Sequence, residues 1–245
     1  MLKRNLHQLI LAMALTVTLP FAFAQNTAPH WPTKPVKLLV PYAAGGPADV
    51  VARELTLVLT ADLKQPVTVE NQGGGMGVPA LGVVARAEPD GHTLLLAAFG
   101  NMVLQPMLSK KGGADLVAKL KPVSTISTGP HVLVVSAKLP VKNIPELIDY
   151  ARANPGKVSF ASAGTGGTAH LGMEMFKALS KTDVIHVPYK GSAGAVNDLV
   201  SGEVSAMFSS LPSLQGLADK GLVKVLAATA PSKSNATKSL PLIGT

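Results

Sequence analysis

A strand, a glycine-rich turn and the start of a helix follow one another three times in this sequence, and this repeated unit is its strongest structural constraint. The clearest copy covers 157–179, where a short strand at 158–161 meets a turn that holds Gly164, Gly166 and Gly167. The apolar residues after the turn recur at helical spacing at Leu171, Met175 and Leu179, with Met173 and Phe176 widening the stripe. The pattern predicts a helix that begins at the turn and buries this stripe.

The start of such a helix exposes backbone groups that a ligand can use. The first N–H groups of a helix have no partner within it, and the aligned peptide dipoles place partial positive charge there. The same unit recurs at the strand 36–42 with the turn 43–47, and at the strand 184–189 with the turn 190–194. We therefore expect three turns that can each receive a carboxylate or a phosphate.

The first 24 residues have the three parts of a secretory signal peptide. Lys3 and Arg4 give a positive start, an apolar segment covers 9–23, and Ala22-Phe23-Ala24 has the small residues of a cleavage site. The apolar run is short and is interrupted by a proline, which argues against a retained membrane anchor. The sequence therefore predicts export, with cleavage near Ala24.

The composition narrows the function classes. The chain carries 22 basic and 14 acidic residues, so its formal net charge is +8, or about +6 without the signal peptide. These charges are scattered and only 4% of the residues are aromatic, whereas a nucleic-acid surface clusters its Lys and Arg. We expect no nucleic-acid partner, and a basic surface that helps to attract anions. The absence of cysteine excludes disulfides, thiolate metal sites and cysteine nucleophiles.

Strands alternate with helices along the chain, which favours an α/β fold with a mostly parallel sheet and right-handed crossovers. The predicted strands are 36–42, 67–71, 93–98, 123–127, 132–136, 158–161, 184–189, 204–208 and 223–228. The predicted helices include 79–86, 144–153, 195–200 and 49–63, the last with Val50, Leu55, Val58 and Leu59 inward. The 221 residues that follow the signal peptide suit one large or two small domains.

One alternative to anion binding is a dinucleotide site. Gly164, Gly166 and Ala169 match the glycine fingerprint of such sites, which also requires an acidic residue near the end of the next strand to hold the ribose. Asp183 lies at about the right distance but stands before that strand. We therefore expect no nicotinamide cofactor.

A second alternative is a secreted α/β hydrolase that uses Ser162. This serine stands at a strand-to-helix turn, as a hydrolase nucleophile does, and Ser162, Asp183 and His186 follow in an order that suits a triad. However, the motif needs a glycine two residues before the serine, where this chain has Phe160. His186 also lies inside an apolar strand, where a core residue is more common than a base, so hydrolysis stays the weaker alternative.

Other polar residues near the turns have simpler interpretations. His170 and Glu174 are one helical turn apart, but no third ligand accompanies them and metal sites need three or more, so we expect no metal. Asp49 is expected to cap or orient its helix start rather than to act as a base. Lys190 can equally be a ligand contact or a solvated loop lysine.

Ordered segments from Trp31 to about Lys233 resemble one protein family. They are W-P-T-K-P-V-K-L-L-V-P-Y-A-A-G-G-P-A-D-V-V-A-R at 31–53, V-T-V-E-N-Q-G-G-G-M-G at 67–77, P-D-G-H-T-L-L-L at 89–96, S-A-G-T-G-G-T-A-H-L at 162–171, H-V-P-Y-K-G-S-A-G-A at 186–195 and G-E-V-S-A-M-F at 202–208. Together they are similar to the substrate-binding proteins of tripartite tricarboxylate transporters, the Bug or TctC-like family.

The resemblance implies a periplasmic solute-binding protein rather than an enzyme. It implies a two-domain periplasmic-binding-protein-like fold with mostly parallel sheets and a ligand cleft between the lobes. Domain 1 would comprise 25–123 and 228–245, and domain 2 would comprise 124–227. Such a monomer would capture a small organic carboxylate and deliver it to the membrane components of a tripartite tricarboxylate transporter.

The segments that face the ligand in the family correspond to the three turns that the residues alone indicate. The ligand-binding residues implied here are Ala44, Gly45, Gly46, Asp49, Ser162, Gly164, Thr165, Gly166, Thr168, Tyr189, Lys190, Gly191 and Ser192. This chain has Ala48 where members usually carry Thr or Ser, so a hydroxyl donor is missing near the first helix start. It also ends where members continue, which implies an incomplete first domain and leaves a non-binding remnant of the family as a third alternative.

Overall fold

The computed structural model describes residues 30–108 and 113–244. The described residues from Lys34 onward form one compact unit. The predicted signal peptide, residues 1–24, lies outside the described residues. Within the described ranges, no helix is both long enough and apolar enough to cross a membrane.

The described residues contain eight strands in two sheets. The strands are β1 (Val36–Val40), β2 (Val67–Asn71), β3 (Thr93–Leu95), β4 (Val132–Ser136), β5 (Ser159–Ser162), β6 (Ile185–Pro188), β7 (Ala206–Ser209) and β8 (Val223–Ala228). The smaller sheet has the order β2-β1-β3 and the larger has β6-β5-β7-β4-β8. All pairings are parallel except those of β4, which runs antiparallel to β7 and β8. The predicted α/β fold with mostly parallel sheets is therefore confirmed.

The helices lie between the strands, as the alternation predicts. They are α1 (Pro47–Leu63), α2 (Val78–Arg86), α3 (Gln105–Leu108), α4 (Gly113–Ala118), α5 (Ile144–Ala153), α6 (Thr168–Ser180), α7 (Ser192–Ser201) and α8 (Gln215–Asp219). Short 3₁₀ segments cover Gly75–Gly77 and Leu211–Ser213, and a π-helical segment covers Gly100–Leu104. Helices α1, α6 and α7 each begin directly after a glycine that follows a strand of a parallel pair.

The larger sheet is covered on both faces. Leu133 and Val135 of β4 lie in one apolar cluster with residues of α5 and α6, whereas Val132 and Val134 lie in another with residues of α7 and α8. Every residue of β4 is buried. A strand that is covered on both sides reads as a continuous apolar run, which is how β4 could be identified in the sequence.

The buried face of α6 differs from the predicted one. Met173 and Phe176 pack into the core of the larger sheet, whereas Met175 and Leu179 are 64% and 79% exposed. Apolar residues occupy more than one side of this helix, so periodicity alone places the centre of the stripe on the wrong side.

The predicted buried face of helix α1 is also partly wrong. It buries Asp49, Ala52 and Thr56, whereas Val50 and Val58 are exposed. Ala52 lies in an apolar cluster with residues of β1. Of the four residues predicted to face inward, Leu55 does pack against this cluster, whereas Val50 and Val58 do not mark the buried side.

The predicted strand at 123–127 is wrong. The described chain has no regular structure from 120 to 131, and Val123 is 85% exposed. The apolar residues of this segment, Val123 and Ile126, therefore lie on the surface.

The end of the described chain packs on the larger sheet. Leu242 forms a parallel bridge with Ala228 at the end of β8, and Leu240 and Leu242 contact an apolar cluster of that sheet. The resemblance assigns this segment to domain 1, together with the smaller sheet, and that assignment stays a prediction. The other predicted domain boundaries stay a prediction.

Two methionines on α6 test which face is buried. We expect Met173→Ala to lower the free energy of unfolding by about 2–5 kcal/mol, because it leaves a cavity in the core. Met175→Ala removes the same atoms from an exposed site and should change it by less than about 0.5 kcal/mol. Urea unfolding of both variants measures the difference, and equal losses would contradict the observed orientation of α6.

Candidate functional site

The first of the three turns joins β1 to α1 and is closed by Asp49. The N-cap of α1 is Gly46. Oδ2 of Asp49, the third residue of the helix, accepts hydrogen bonds from the N–H of Gly45 at 2.8 Å and from Nε of Arg53 at 2.9 Å. A side chain at this position that reaches back to the chain before the helix works like one half of a capping box. Asp49 thus orients the start of its helix, which is one of the two roles expected for it.

Asp49 is buried but remains a good acceptor. Burial by itself raises the pKa of this carboxyl, but the hydrogen bonds from Arg53 and Gly45 outweigh it and leave the pKa below its ordinary value. Asp49 therefore holds the turn as a carboxylate whose charge is matched by Arg53.

The second turn joins β5 to α6 and has the same construction. Its N-cap is Gly167, and Nδ1 of His170, again the third helical residue, accepts a hydrogen bond from the N–H of Gly166 at 3.0 Å. Gly45 and Gly166 occupy the same position before their helices, with φ of 82° and 78°. The sequence contains a signal for this equivalence, because G-G-P-A-D at 45–49 is repeated as G-G-T-A-H at 166–170.

Two histidine rings and a serine lie at the second turn. Oγ of Ser162 lies 2.6 Å from Nε2 of His186 and accepts from the N–H of Gly164 at 3.2 Å. The rings of His186 and His170 stack with their centroids 4.1 Å apart. The contact between Ser162 and His186 is one that the hydrolase alternative requires, although His186 was expected to be a core residue of its strand. The contact exists because β6 pairs in parallel with β5 and places His186 opposite Phe160.

This arrangement does not form a hydrolase triad. Ser162 is 1% exposed, and its hydroxyl is engaged by both Gly164 and His186. Asp183 is exposed, and the carboxylate that acts on His186 is Glu174 instead. A nucleophile must reach a substrate carbonyl, and this serine lies under its own turn.

The third turn joins β6 to α7 and carries Tyr189 and Lys190. The Tyr189 hydroxyl donates to Oδ2 of Asp198 on α7, and burial together with this bond raises the pKa of Tyr189 to about 12. The N–H of Tyr189 donates to the carbonyl of Ser162 at 2.9 Å, which ties the third turn to β5. The side chain of Lys190 is exposed, and its carbonyl accepts from the N–H of Ala43 at 3.2 Å.

The structure brings the three predicted turns together. A Cβ placed on Gly45 would lie 3.5 Å from Cβ of Ala193, so the first and third turns are in contact. A Cβ on Gly164 would lie 3.5 Å from the carbonyl oxygen of Tyr189, which brings the second turn to the third. The helix starts of α1, α6 and α7 therefore border one region of the molecule.

The predicted site residues differ in exposure. Those that are exposed are Ala44, Gly45, Thr165, Thr168 and Lys190. Those that are buried are Gly46, Asp49, Ser162, Gly166 and Gly191. Gly164, Tyr189 and Ser192 are half-buried. Because Ser162 and the Tyr189 hydroxyl are engaged within the protein, the backbone of the turns is the part best placed to meet a ligand.

Sequence analysis missed two residues at this junction. Gly73, in the loop after β2, lies so close to the other turns that a Cβ would be 2.6 Å from the carbonyl oxygen of Lys190 and 2.7 Å from the nitrogen of Ala43. Nε2 of His131, just before β4, lies 3.3 Å from Oγ1 of Thr168 at the start of α6. The glycines among residues 73–77 are the sequence signal for this close backbone approach.

The helix starts at the junction are left open, whereas one away from it is closed. The N-cap of α5, Asn143, accepts from the N–H of Glu146, and Glu146 accepts from the N–H of Lys142. Among the described residues, the glycine N-caps of α1, α6 and α7 provide no such side-chain bond. N–H groups at the starts of three helices thus remain available where the turns meet.

The described residues contain no group of three or more His, Asp and Glu side chains that could hold a metal ion.

The sequence matches the family model of the tripartite tricarboxylate transporter family receptor over residues 51–245. BugT of Bordetella pertussis is 33% identical over 242 residues, which is 97% of this chain and 73% of BugT. A UPF0065 protein of the same organism is 35% identical over 217 residues, 89% of this chain and 67% of that protein. This chain is thus shorter than both relatives.

Solved structures show the same similarity. An R. palustris protein solved with adipate superposes with a TM-score of 0.83 at 32% identity, over 87% of this chain and 71% of that one. MatC from Rhodopseudomonas palustris with bound malate superposes with a TM-score of 0.80 at 29% identity, over 86% and 72%. The periplasmic-binding-protein-like fold is therefore confirmed.

Gly73→Ala tests the close approach of the turns. A methyl group at this position would overlap backbone atoms of Lys190 and Ala43, so the two loops must separate. We expect the free energy of unfolding to fall by about 1–3 kcal/mol, as overpacking usually costs. Gly129→Ala is the matched control, because Gly129, like Gly73, lies outside helices and strands and its new Cβ would meet nothing within 4 Å. Equal unfolding midpoints for both variants in urea would show that the turns do not touch in solution.

Proposed function

This chain belongs to the tripartite tricarboxylate transporter receptor family, and we propose that it captures a small organic carboxylate in the periplasm and delivers it to a tripartite tricarboxylate-type membrane transporter. The observation that carries the proposal is the meeting of three helix starts with open N–H groups at one junction. Relatives with the same fold were solved with adipate and malate, which are both dicarboxylates. Export with cleavage near Ala24 belongs to the same proposal.

The helix starts supply the attraction for a carboxylate. α1, α6 and α7 contain 17, 13 and 10 residues, so each has at least two full turns of aligned peptide dipoles. A helix start contributes about 0.3–1 kcal/mol to binding an anion, and up to about 2 kcal/mol when it is partly buried. Hydrogen bonds to a charged group add about 1.5–3 kcal/mol each. Several such contacts can reach the roughly 8 kcal/mol of a micromolar complex after ordering costs.

Side chains at the junction adjust this backbone site. Thr168 is exposed at the start of α6 and offers a hydroxyl, whereas the equivalent residue of the first turn is Pro47, and neither it nor the following Ala48 carries a hydroxyl. Lys190 is exposed on the third turn and supplies a positive charge. We therefore assign the selection among carboxylates to these exposed side chains and their neighbours.

Calorimetry against a panel of carboxylates tests the proposal. We expect micromolar binding of at least one member of a panel of dicarboxylates, amino acids and aromatic acids, with a neutral diamide of the best ligand showing no binding. A folded protein that gives no heat with any of them would contradict the proposal and favour a non-binding member of the family.

Ser162→Ala separates carboxylate binding from hydrolysis. If the protein binds carboxylates through backbone groups, the variant should lose affinity by less than about fivefold, because the hydrogen bonds of Ser162 to Gly164 and His186 act on the ligand only indirectly. A hydrolase that uses Ser162 would instead lose all turnover. Titration of wild type and variant with the best carboxylate, beside an ester hydrolysis assay, gives the answer. Ester hydrolysis by the wild type that disappears in the variant would contradict the proposal.

A further inference from the structure

The first and second turns are held by different chemical groups in the same position. Asp49 accepts from the N–H of Gly45 with a carboxylate, and His170 accepts from the N–H of Gly166 with a ring nitrogen. A carboxylate keeps its acceptor oxygens throughout the neutral pH range. An imidazole loses its acceptor when it is protonated, because both nitrogens then carry hydrogen.

Several ionisable groups face the imidazole of His170. His186 on β6 stacks on its ring at 4.1 Å. Glu174 on α6 places Oε1 at 3.8 Å from Nε2 of His170, and Lys177 lies 3.4 Å from the same carboxylate oxygen. His131 lies beyond them, bonded to Thr168 rather than to His170.

The hydrogen bond to Gly166 fixes the protonation state of His170. Nδ1 must be free of hydrogen to accept at 3.0 Å, so the proton of the neutral ring is on Nε2, which faces Glu174. A second proton on Nδ1 would set two N–H donors against each other at that distance. The turn would then have to move away from the ring.

We propose that His170 is a pH-sensitive positioning residue that keeps the second turn in its anion-binding geometry when neutral and releases the turn when protonated. This proposal rests on the function proposed above and adds regulation of the same site. Acidification should therefore weaken the binding of a carboxylate. The first turn, held by Asp49, should keep its geometry over the same range.

The direction of the effect depends on two opposing contributions. Protonation adds a positive charge near the second turn, which by itself attracts an anion. That charge arises 3.8 Å from the carboxylate of Glu174, which largely offsets it. The loss of the hydrogen bond between Gly166 and His170 releases the turn that orients the N–H groups at the start of α6. The charge of Glu174 does not offset this loss. The expected net effect of the two contributions is weaker binding of the carboxylate at low pH.

His186, which stacks on His170, is held in its neutral form. Burial lowers the pKa of His186, and the neighbouring charge of His170 lowers it further. Two stacked rings at 4.1 Å do not readily carry a charge each. Burial and the neighbouring charge of His170 therefore both favour the neutral form of His186, which contacts Ser162.

Binding titrations at pH 8 and pH 5.5, on either side of the usual histidine range, test the proposal. For the wild type, we expect the dissociation constant of the best carboxylate to rise roughly three- to tenfold, as the loss of a helix cap predicts. In His170→Asn the side-chain oxygen lies at the end of a side chain as long as that of Asp49 and does not titrate. The dissociation constant of this variant should therefore change by less than about twofold between the two pH values. The same pH dependence in both proteins would overturn the proposal.

NMR of the ligand-free protein separates this proposal from the proposed function. The Gly166 amide signal should shift with the protonation of His170 Nδ1 between pH 8 and pH 5.5, whereas the Gly45 amide, held by Asp49, should not. If no carboxylate binds at pH 8, the proposed function fails, and the Gly166 titration still decides whether the cap is pH-sensitive. A Gly166 amide that ignores the protonation of His170 would overturn the proposal.

Discussion

Open N–H groups at the starts of α1, α6 and α7 are the feature on which the proposed function depends. A helix start normally recruits a capping side chain, as α5 does with Asn143 and Glu146. The three helices at the junction have glycine at the N-cap instead, so among the described residues no N-cap side chain accepts from their first N–H groups as Asn143 does in α5. Glycine also lets the turns approach one another closely, so three partial positive charges meet in one place.

The supporting side chains hold these turns rather than replace the backbone as ligand groups. Asp49 and His170 each reach back across a helix start, and Ser162 and Tyr189 are engaged with their neighbours. This arrangement explains how a site for anions can contain a buried carboxylate: the charge of Asp49 is matched by Arg53 and its oxygen serves the turn. Polar groups with satisfied hydrogen bonds specify one geometry, which is what a preorganised binding site needs.

Local patterns in the sequence were enough to predict most strands, the helix starts and the three turns. They failed where a three-dimensional neighbour decides the outcome. Met175 and Leu179 have the spacing of a buried stripe, yet Met173 and Phe176 face the sheet, because the direction of the core is not encoded in one helix alone. Val123 belongs to an apolar run that finds no partner strand within the described residues.

The candidate site, too, could be predicted only where local sequence decides the outcome. Gly45, Gly164 and Lys190 could be assigned to turns from local sequence, but their convergence follows from the order of strands in two sheets. The contact between His186 and Ser162 depends on the register of β5 and β6, and the meaning of Gly73 depends on loops that are distant in sequence. The repeated G-G-x-A pattern before Asp49 and His170 was the one readable sign of their shared role.

A crystal structure of the protein with a bound carboxylate tests the central claim most directly. We expect carboxylate oxygens within about 3.2 Å of backbone nitrogens at the starts of at least two of the helices α1, α6 and α7. A carboxylate bound away from these helix starts, or held only by side chains such as that of Lys190, would contradict it.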